Sequence, residues 1–364
     1  MTGVQSPGSG NSRRTIPRLP GLPIAGNIFE YARSPIGLLL RVHRELGDTA
    51  FFRMGVFPVL SIANPAHIET ILVERADAFE KGLAYRFLRA ILGNGLVTAS
   101  NAVQRRQRKL VAPALAHRRV VAYAEAMVEL AEAAQARWTK GGIIDVHQEM
   151  MQLTQIIVAK TLLHADVLPE SAELSQAMTV ANEWAGHEIA QLIAIPKFVP
   201  TPRNLKLAKA IRRLDSTIYR LIGERRASGD RGDILSMLLL AKEEGGGEGM
   251  SDRQVRDEAL TIFVAGHETT ANAMTWTFYL LSRHPEVAGK LGAELAQALG
   301  GRSPTYQDLG RMPYTLQVLK ESMRLYPPVY AISRRAVRDV PVDDFVVKRG
   351  TILFINIYAM HRSP

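Results

Sequence analysis

The sequence predicts a mainly α protein with a small β portion, and three observations carry that reading. Apolar side chains recur at three-to-four-residue spacing over six stretches between residues 102 and 243. A seventh pattern runs unbroken from Ser251 to His284. β-rich runs are confined to 49–63 and to the far end of the chain, at Val346–Val347 and "TILFINIY".

In chain order, residues 1–16 are polar and rich in Gly and Ser, which predicts a flexible tail. "PRLPGLPIAGN" is a proline-stiffened lead-in to a single domain over 17–364. "TAFFRMGVFPVLSIA" has two β-rich stretches about Gly55 and predicts a hairpin. Helices are expected over 102–113, 118–138, 145–163, 171–190, 204–227 and 233–243. The breaks fall at Pro113, Gly141–Gly142, Pro169, "IPKFVPTPRN" and "GGGEGM". Ser251 and Gln254 then form an S-x-x-Q capping box that opens the longest helix, about 48 Å from end to end. Its stripe of Leu260, Phe263, Val264, Ala271, Met274, Phe278 and Leu281 is expected to face the core.

The composition is that of a globular chain with a large core: 364 residues, 47% hydrophobic and 22% charged. Lys and Arg outnumber Asp and Glu by 45 to 35, a formal charge of +10, which favours an anionic cofactor or partner. The basic run "RRQRK" has no aromatic residues interleaved, which argues against nucleic acid. The chain has 0 Cys, so disulfides, thiolate metal ligands and cysteine nucleophiles are excluded from these residues. No run approaches the length of a membrane span, and the opening segment lacks the apolar stretch of a signal peptide. The expectation is a cytoplasmic protein with no transmembrane segment.

"AGHETTANAMTW", residues 265–276, interrupts the longest apolar pattern with groups that are costly there. Gly266 costs up to about 1 kcal/mol of helix stability relative to Ala, which makes sense where something must approach the backbone. Thr269 stands four residues after Ala265, and a threonine hydroxyl can bond the carbonyl four residues back and open the helix. Glu268 and Thr269 set an acid beside a hydroxyl, the minimum for relaying protons into a small site. A kinked helix with a solvated acidic face is the plainer reading, but four polar types inside one long helix weigh against it. "HET" also begins like the H-E-x-x-H zinc helix, but the second imidazole would fall at Ala271. In "LKESMRLYPP", Glu321 and Arg324 are three apart on one helical face, and Pro327–Pro328 ends the helix.

These motifs in this order resemble the cytochrome P450 superfamily of haem-thiolate monooxygenases, soluble bacterial type. The likeness lies in A-G-x-E-T-T on a long helix, E-x-x-R before "RLYPPV", and "RRAVRDV" leading to "KRGTILFINIYAMHRSP". The earlier "GNGLVTASNAVQRRQRKLVAPAL" and "PRLPGLPIAGN" match as well, so the likeness runs from about Pro17 to Pro364. It implies a P450-like fold, haem b and its iron as cofactor, and oxidation of an apolar small molecule by O2. The two electrons come from a ferredoxin or flavoprotein reductase, and the chain is a monomer.

The same resemblance assigns roles. Ala265 and Gly266 line an oxygen groove, Thr269 serves the bound oxygen and Glu268 feeds protons. Arg108, Arg334 and Gln104 bind the haem propionates, and Glu321 and Arg324 belong to a buried ion-pair network. The wall of the substrate site comes from Leu83, Tyr85, Phe87, Leu88, Ile91, Trp184 and Leu192. Members of the family carry their iron-ligating cysteine in a glycine-rich loop after "HRSP", which makes this chain a fragment that lacks its C-terminal haem-ligand segment, with no metal ligand of its own. A non-catalytic protein that binds an apolar ligand is the alternative.

Overall fold

The computed structural model describes residues 15–82, 85–163, 171–190, 196–242 and 249–363. The expected tail lies almost wholly outside the described residues, as do Leu83, Leu192, Pro169 and most of "GGGEGM".

Capping residues and prolines set the element order. Helices α1 (Ile28–Arg33) and α2 (Pro35–Leu46) come first. Ser34 accepts the Gly37 N–H at 3.2 Å, and Pro35 sits in the first turn of α2, where no N–H is needed. The expected hairpin follows as β1 (Thr49–Met54) and β2 (Phe57–Ile62), joined through Gly55 at φ +62°. Asn64 caps α3 (Pro65–Glu69), and a turn of π-helix leads on to β3 (Phe79–Lys81).

Then come α4 (Tyr85–Leu92), α5 (Asn101–Val111), α6 (His117–Gln135), α7 (Val146–Leu163) and α8 (Ser171–Ala190). Thr201 caps α9 (Pro202–Ser228), Asp233 caps α10 (Ile234–Leu240), and the capping box at Ser251 opens α11 (Asp252–Arg283). The chain finishes with α12 (Pro285–Leu299), α13 (Pro313–Leu325), β4 (Ile332–Ala336), β5 (Val340–Val342), β6 (Phe345–Val347), β7 (Ile352–Ile355) and α14 (Ile357–Met360). The fold is mainly α with a small sheet.

The chain forms two compact units, Met1–Leu83 with Tyr330–Pro364, and Ala84–Val329. In the first, five strands pair in the order β1-β2-β7-β4-β3. β2 and β7 run parallel, with Leu60 opposite Leu353, and the other neighbours are antiparallel. Leu60, Ile62, Leu353 and Ile355 are almost fully buried, and each side chain of that size contributes about 1.5–3 kcal/mol on burial.

The second unit is helical. Its core joins Ile91, Trp184, Leu214, Leu235, Leu238, Val255, Leu260 and Phe263. Helix α11 packs against α4, α7, α9, α10, α12 and α13. Arg225 of α9 and Asp233, the cap of α10, form a buried ion pair that Ser236 completes by accepting from Arg225 Nη1 at 2.8 Å.

Two expectations change. Strands β3 and β4 also belong to the five-stranded sheet, and β5 pairs with β6 in a separate two-stranded one; "FEK", "ISRRA" and "VPV" are too short for the sequence to reveal a period of two. Phe278 is 36% exposed, and only its ring edge meets Trp138, at 6.5 Å between centroids. Leu260, Phe263 and Ala271 are buried as expected. The stripe fails near its end because α11 exchanges neighbours along its length, α7 in the middle and α13 further on, and the buried face turns with them.

Candidate active site on the long helix

The first half of α11 holds a loop in place. Asp257 Oδ2 accepts the Asn94 N–H at 2.7 Å and Glu258 Oε2 the Leu96 N–H at 3.0 Å. Gly93, at φ +66°, lies so close that a Cβ there would stand 2.1 Å from Asp257 Oδ1. Arg256 neutralises part of this charge, pairing with Asp257 at 2.9 Å and with Asp215 of α9. Gln107 Nε2 reaches back to Asn94 O at 2.9 Å, so the same turn is tied to the second half of α5, the helix that carries Gln104 and Arg108.

In the middle of α11 the unusual residues divide between two faces. Gly266 and His267 turn towards α7. A Cβ on Gly266 would stand 3.0 Å from Val158 Cγ2, so the glycine admits a neighbouring helix. Thr154 of α7 donates to the His267 carbonyl at 3.0 Å. The His267 ring is 1% exposed, with Nδ1 3.3 Å from the Phe263 carbonyl. Burial pushes its pKa down, opposed by that carbonyl and by the Glu268 charge.

Ala265, Glu268 and Thr269, at i, i+3 and i+4, share the other face, Ala265 exposed and the other two half-buried. Thr269 Oγ1 donates to the Ala265 carbonyl at 2.6 Å, the local bond expected from the spacing. Glu268 Oε2 accepts from Asn182 Nδ2 of α8 at 2.6 Å. Sequence reasoning passed over Asn182, since nothing in the order of residues ties position 182 to 268. The carboxylate therefore stands held beside a hydroxyl on an accessible stretch of helix, an arrangement able to receive and pass a proton.

An apolar wall forms in the same unit. Phe87 of α4 and Trp184 of α8 meet edge to face at 6.1 Å; Ile91 is buried, and Tyr85 and Leu88 are half-buried.

Arg324 Nε and Nη2 donate to the two oxygens of Glu321 at 2.7 and 2.6 Å. This hydrogen-bonded pairing lowers the Glu321 pKa and raises that of Arg324. The pair is exposed, however, at 55% and 44%, where a buried network was expected. The cause is its face of α13: the neighbouring Ser322 points inward and accepts from Thr277 of α11 at 2.9 Å.

The residues expected at the cofactor are suited to an anion. In the segment after α13, Arg335 pairs with Glu80 and Arg338 with Asp77, whereas Arg334 is half-buried, donates to the Ser333 carbonyl at 3.0 Å and has no carboxylate partner among the described residues. Arg108 is exposed and has no carboxylate partner among the described residues, and Gln104 is half-buried. A guanidinium without an acid partner fits a propionate. A thiolate for iron is not among these residues, since the sequence has 0 Cys. Among the described residues no group of three or more His, Asp or Glu side chains is placed to hold a metal ion, and no helix is long and apolar enough to cross a membrane.

The sequence profile of one family, cytochrome P450, matches residues 17–364. Cyclooctatin synthase of Streptomyces melanosporofaciens is 35% identical over 100% of this chain and 80% of its own length. Cyclooctat-9-en-7-ol 5-monooxygenase of the same organism is 31% identical, over 95% of this chain and 75% of that protein. Pentalenene oxygenase of Streptomyces avermitilis is 31% identical, over 94% and 76%.

Proposed function

Because the chain belongs to the cytochrome P450 family of haem-dependent oxidoreductases, we propose that it provides the substrate wall and the proton-handling residues of a monooxygenase acting on a terpene-type hydrocarbon. Haem, when bound, supplies the activation of O2, driven by electrons from a redox partner. The observation that carries the reading is the pairing of Asn182 with Glu268 beside Thr269 on α11.

In this reading Glu268 takes up protons from the solvent side and delivers them at the open face. The Thr269 hydroxyl, oriented by the Ala265 carbonyl, fixes where they arrive. Ala265 keeps the open face free of bulk, so that O2 finds room, and Gly266, expected beside it in that groove, lies towards Val158 of α7. Arg108 and Arg334 bind the propionates, with Gln104 as a further donor. Phe87, Ile91 and Trp184 exclude water and hold an apolar substrate. Two of the relatives' names state an alkenol and an alkene as what they oxidise, which favours a terpene over a fatty acid.

The electron donor is a ferredoxin or a flavoprotein reductase, and the chain works as a cytoplasmic monomer in which residues 17–364 form one domain. The thiolate comes from residues other than these 364, which include no cysteine. Sequencing the reading frame past the codon for Pro364 tests that directly. With the thiolate-bearing protein, haem, a ferredoxin and its reductase, incubation with terpene hydrocarbons is expected to give products heavier by one oxygen. Oxygenated fatty acids with no oxygenated terpene would overturn the substrate class.

A second reading is a non-catalytic protein that binds an apolar ligand. It requires a monodisperse chain that binds a terpene without iron, and a chain that precipitates or melts without cooperativity would exclude it.

A further inference from the structure

Away from α11, the end of α8 and the start of α9 enclose a cavity of about 720 Å³. Glu188 lines it and is 4% exposed, yet among the described residues its Oε2 has no hydrogen-bond partner. Trp184 forms the neighbouring wall, and its indole N–H is already given to Asn204 Oδ1 at 2.8 Å. The Asn204 amide is in turn spent on the carbonyls of Pro196, at 3.1 Å, and Val199, at 2.9 Å. Neither the Trp184 indole nor the Asn204 amide is therefore left to satisfy the carboxylate; Glu183, His187 and Thr201 line the same cavity. Arg203 and Lys206 line the same cavity, are exposed, and pair with no acid among the described residues.

A buried polar atom with no partner is uncommon in folded proteins, and the complement of a carboxylate is a cation. Trp184, an aromatic ring lining the same cavity, can add attraction for an ammonium group. The two free cations at exposed positions suit an anionic group at the other end of the same ligand. We infer that this cavity is a binding site for a small zwitterion, with its ammonium group against Glu188 and Trp184 and its carboxylate towards Arg203 and Lys206. The site uses neither Glu268 nor Thr269; it shares Trp184 with the proposed substrate wall, and its test reads binding rather than oxidation. Trp184 is one of 3 tryptophans, so occupancy has an optical signal.

The test is calorimetric titration of the full chain with 6-aminohexanoate, using hexylamine and hexanoate as single-charge controls. Saturable binding of 6-aminohexanoate is expected, with a change in tryptophan fluorescence, and hexanoate should not bind. Glu188→Gln keeps the shape and removes the charge, and should weaken 6-aminohexanoate at least about tenfold. A double variant at exposed positions, Arg203→Gln with Lys206→Gln, should weaken 6-aminohexanoate several-fold and leave hexylamine unchanged. No saturable binding of 6-aminohexanoate, binding of hexanoate as tight, or an affinity unmoved by either variant would overturn the assignment. Because the double variant changes only exposed side chains, it decides the matter even if Glu188→Gln fails to fold.

Discussion

Asn182 and Glu268 stand on different helices, and the amide of the first donates to the carboxylate of the second at 2.6 Å. A hydrogen bond to an ionised acceptor is about twice as strong as a neutral one, so this contact both joins α8 to α11 and fixes one carboxylate oxygen. Asn182→Ala is expected to cost about 1–2 kcal/mol, measured by urea unfolding. Glu268→Gln preserves the contact geometrically and should leave stability within about 0.5 kcal/mol while lowering product formation at least about 100-fold in the haem-loaded enzyme. An unchanged rate in Glu268→Gln would remove the carboxylate from proton delivery.

Thr269 has a local role and a proposed chemical one, and substitution separates them. Thr269→Ser keeps the hydroxyl that bonds Ala265, whereas Thr269→Ala removes it. The alanine variant is expected to consume reductant at a near-normal rate with most electrons lost to peroxide or water, and the serine variant to retain most product. Equal coupling in the two variants would count against the hydroxyl.

Gly266 is predicted to be a packing glycine as much as a groove residue. Gly266→Ala gains up to about 1 kcal/mol of helix propensity but places a methyl group 3.0 Å from Val158 Cγ2. A net loss of about 1 kcal/mol is expected, largely recovered on a Val158→Ala background, with a coupling energy of about 1 kcal/mol in the double-mutant cycle. Additive effects would mean that α7 is not what the glycine accommodates.

The two kinds of ion pair should behave differently. Asp233→Ala removes the carboxylate partner of the buried Arg225, which keeps Ser236, and also removes the cap of α10, and should cost about 3 kcal/mol or more. Glu321→Ala removes a bidentate but solvent-exposed pair and should cost no more than about 0.5 kcal/mol. Denaturant midpoints compare them directly.

His267 makes stability depend on pH. Its folded-state pKa lies below the ordinary 6.5 because burial disfavours the charged ring. Its contribution is therefore complete above about pH 6.5 and is lost as pH falls, because the unfolded chain takes up a proton that the folded one refuses. The wild type should lose stability as pH falls below 6.5, and His267→Leu should lack that component. Parallel unfolding curves from pH 8 to 5 would contradict the assignment.

Local features were legible in the sequence. The capping box at Ser251, the hairpin about Gly55 and the Thr269 hydroxyl reaching Ala265 each depend on residues within a few positions of one another, where spacing alone fixes the partner. Contacts across the fold were not. Asn182 finding Glu268, Val158 occupying the space at Gly266, and Asp257 and Glu258 gripping backbone N–H groups more than 160 positions away are set by helix packing. An acidic pair on a helix reads as a solvated face until a loop is seen to lie on it. Glu321 and Arg324 carried the reverse lesson: the spacing gave the pair, and the orientation of α13 decided its exposure.

The parallel pairing of β2 with β7 bears on how the protein is made. Val59 meets Ile352, so the inner edge of the first hairpin leaves the ribosome about 290 residues before the strand that covers it. At about 5–20 residues per second, that edge waits roughly 15–60 s with its N–H and C=O groups open. Throughout that interval the chain depends on chaperones, or on dilution, to keep one nascent hairpin from adding to another. Conditions that slow translation of the middle helices should therefore lower the yield of folded protein without changing a single native contact.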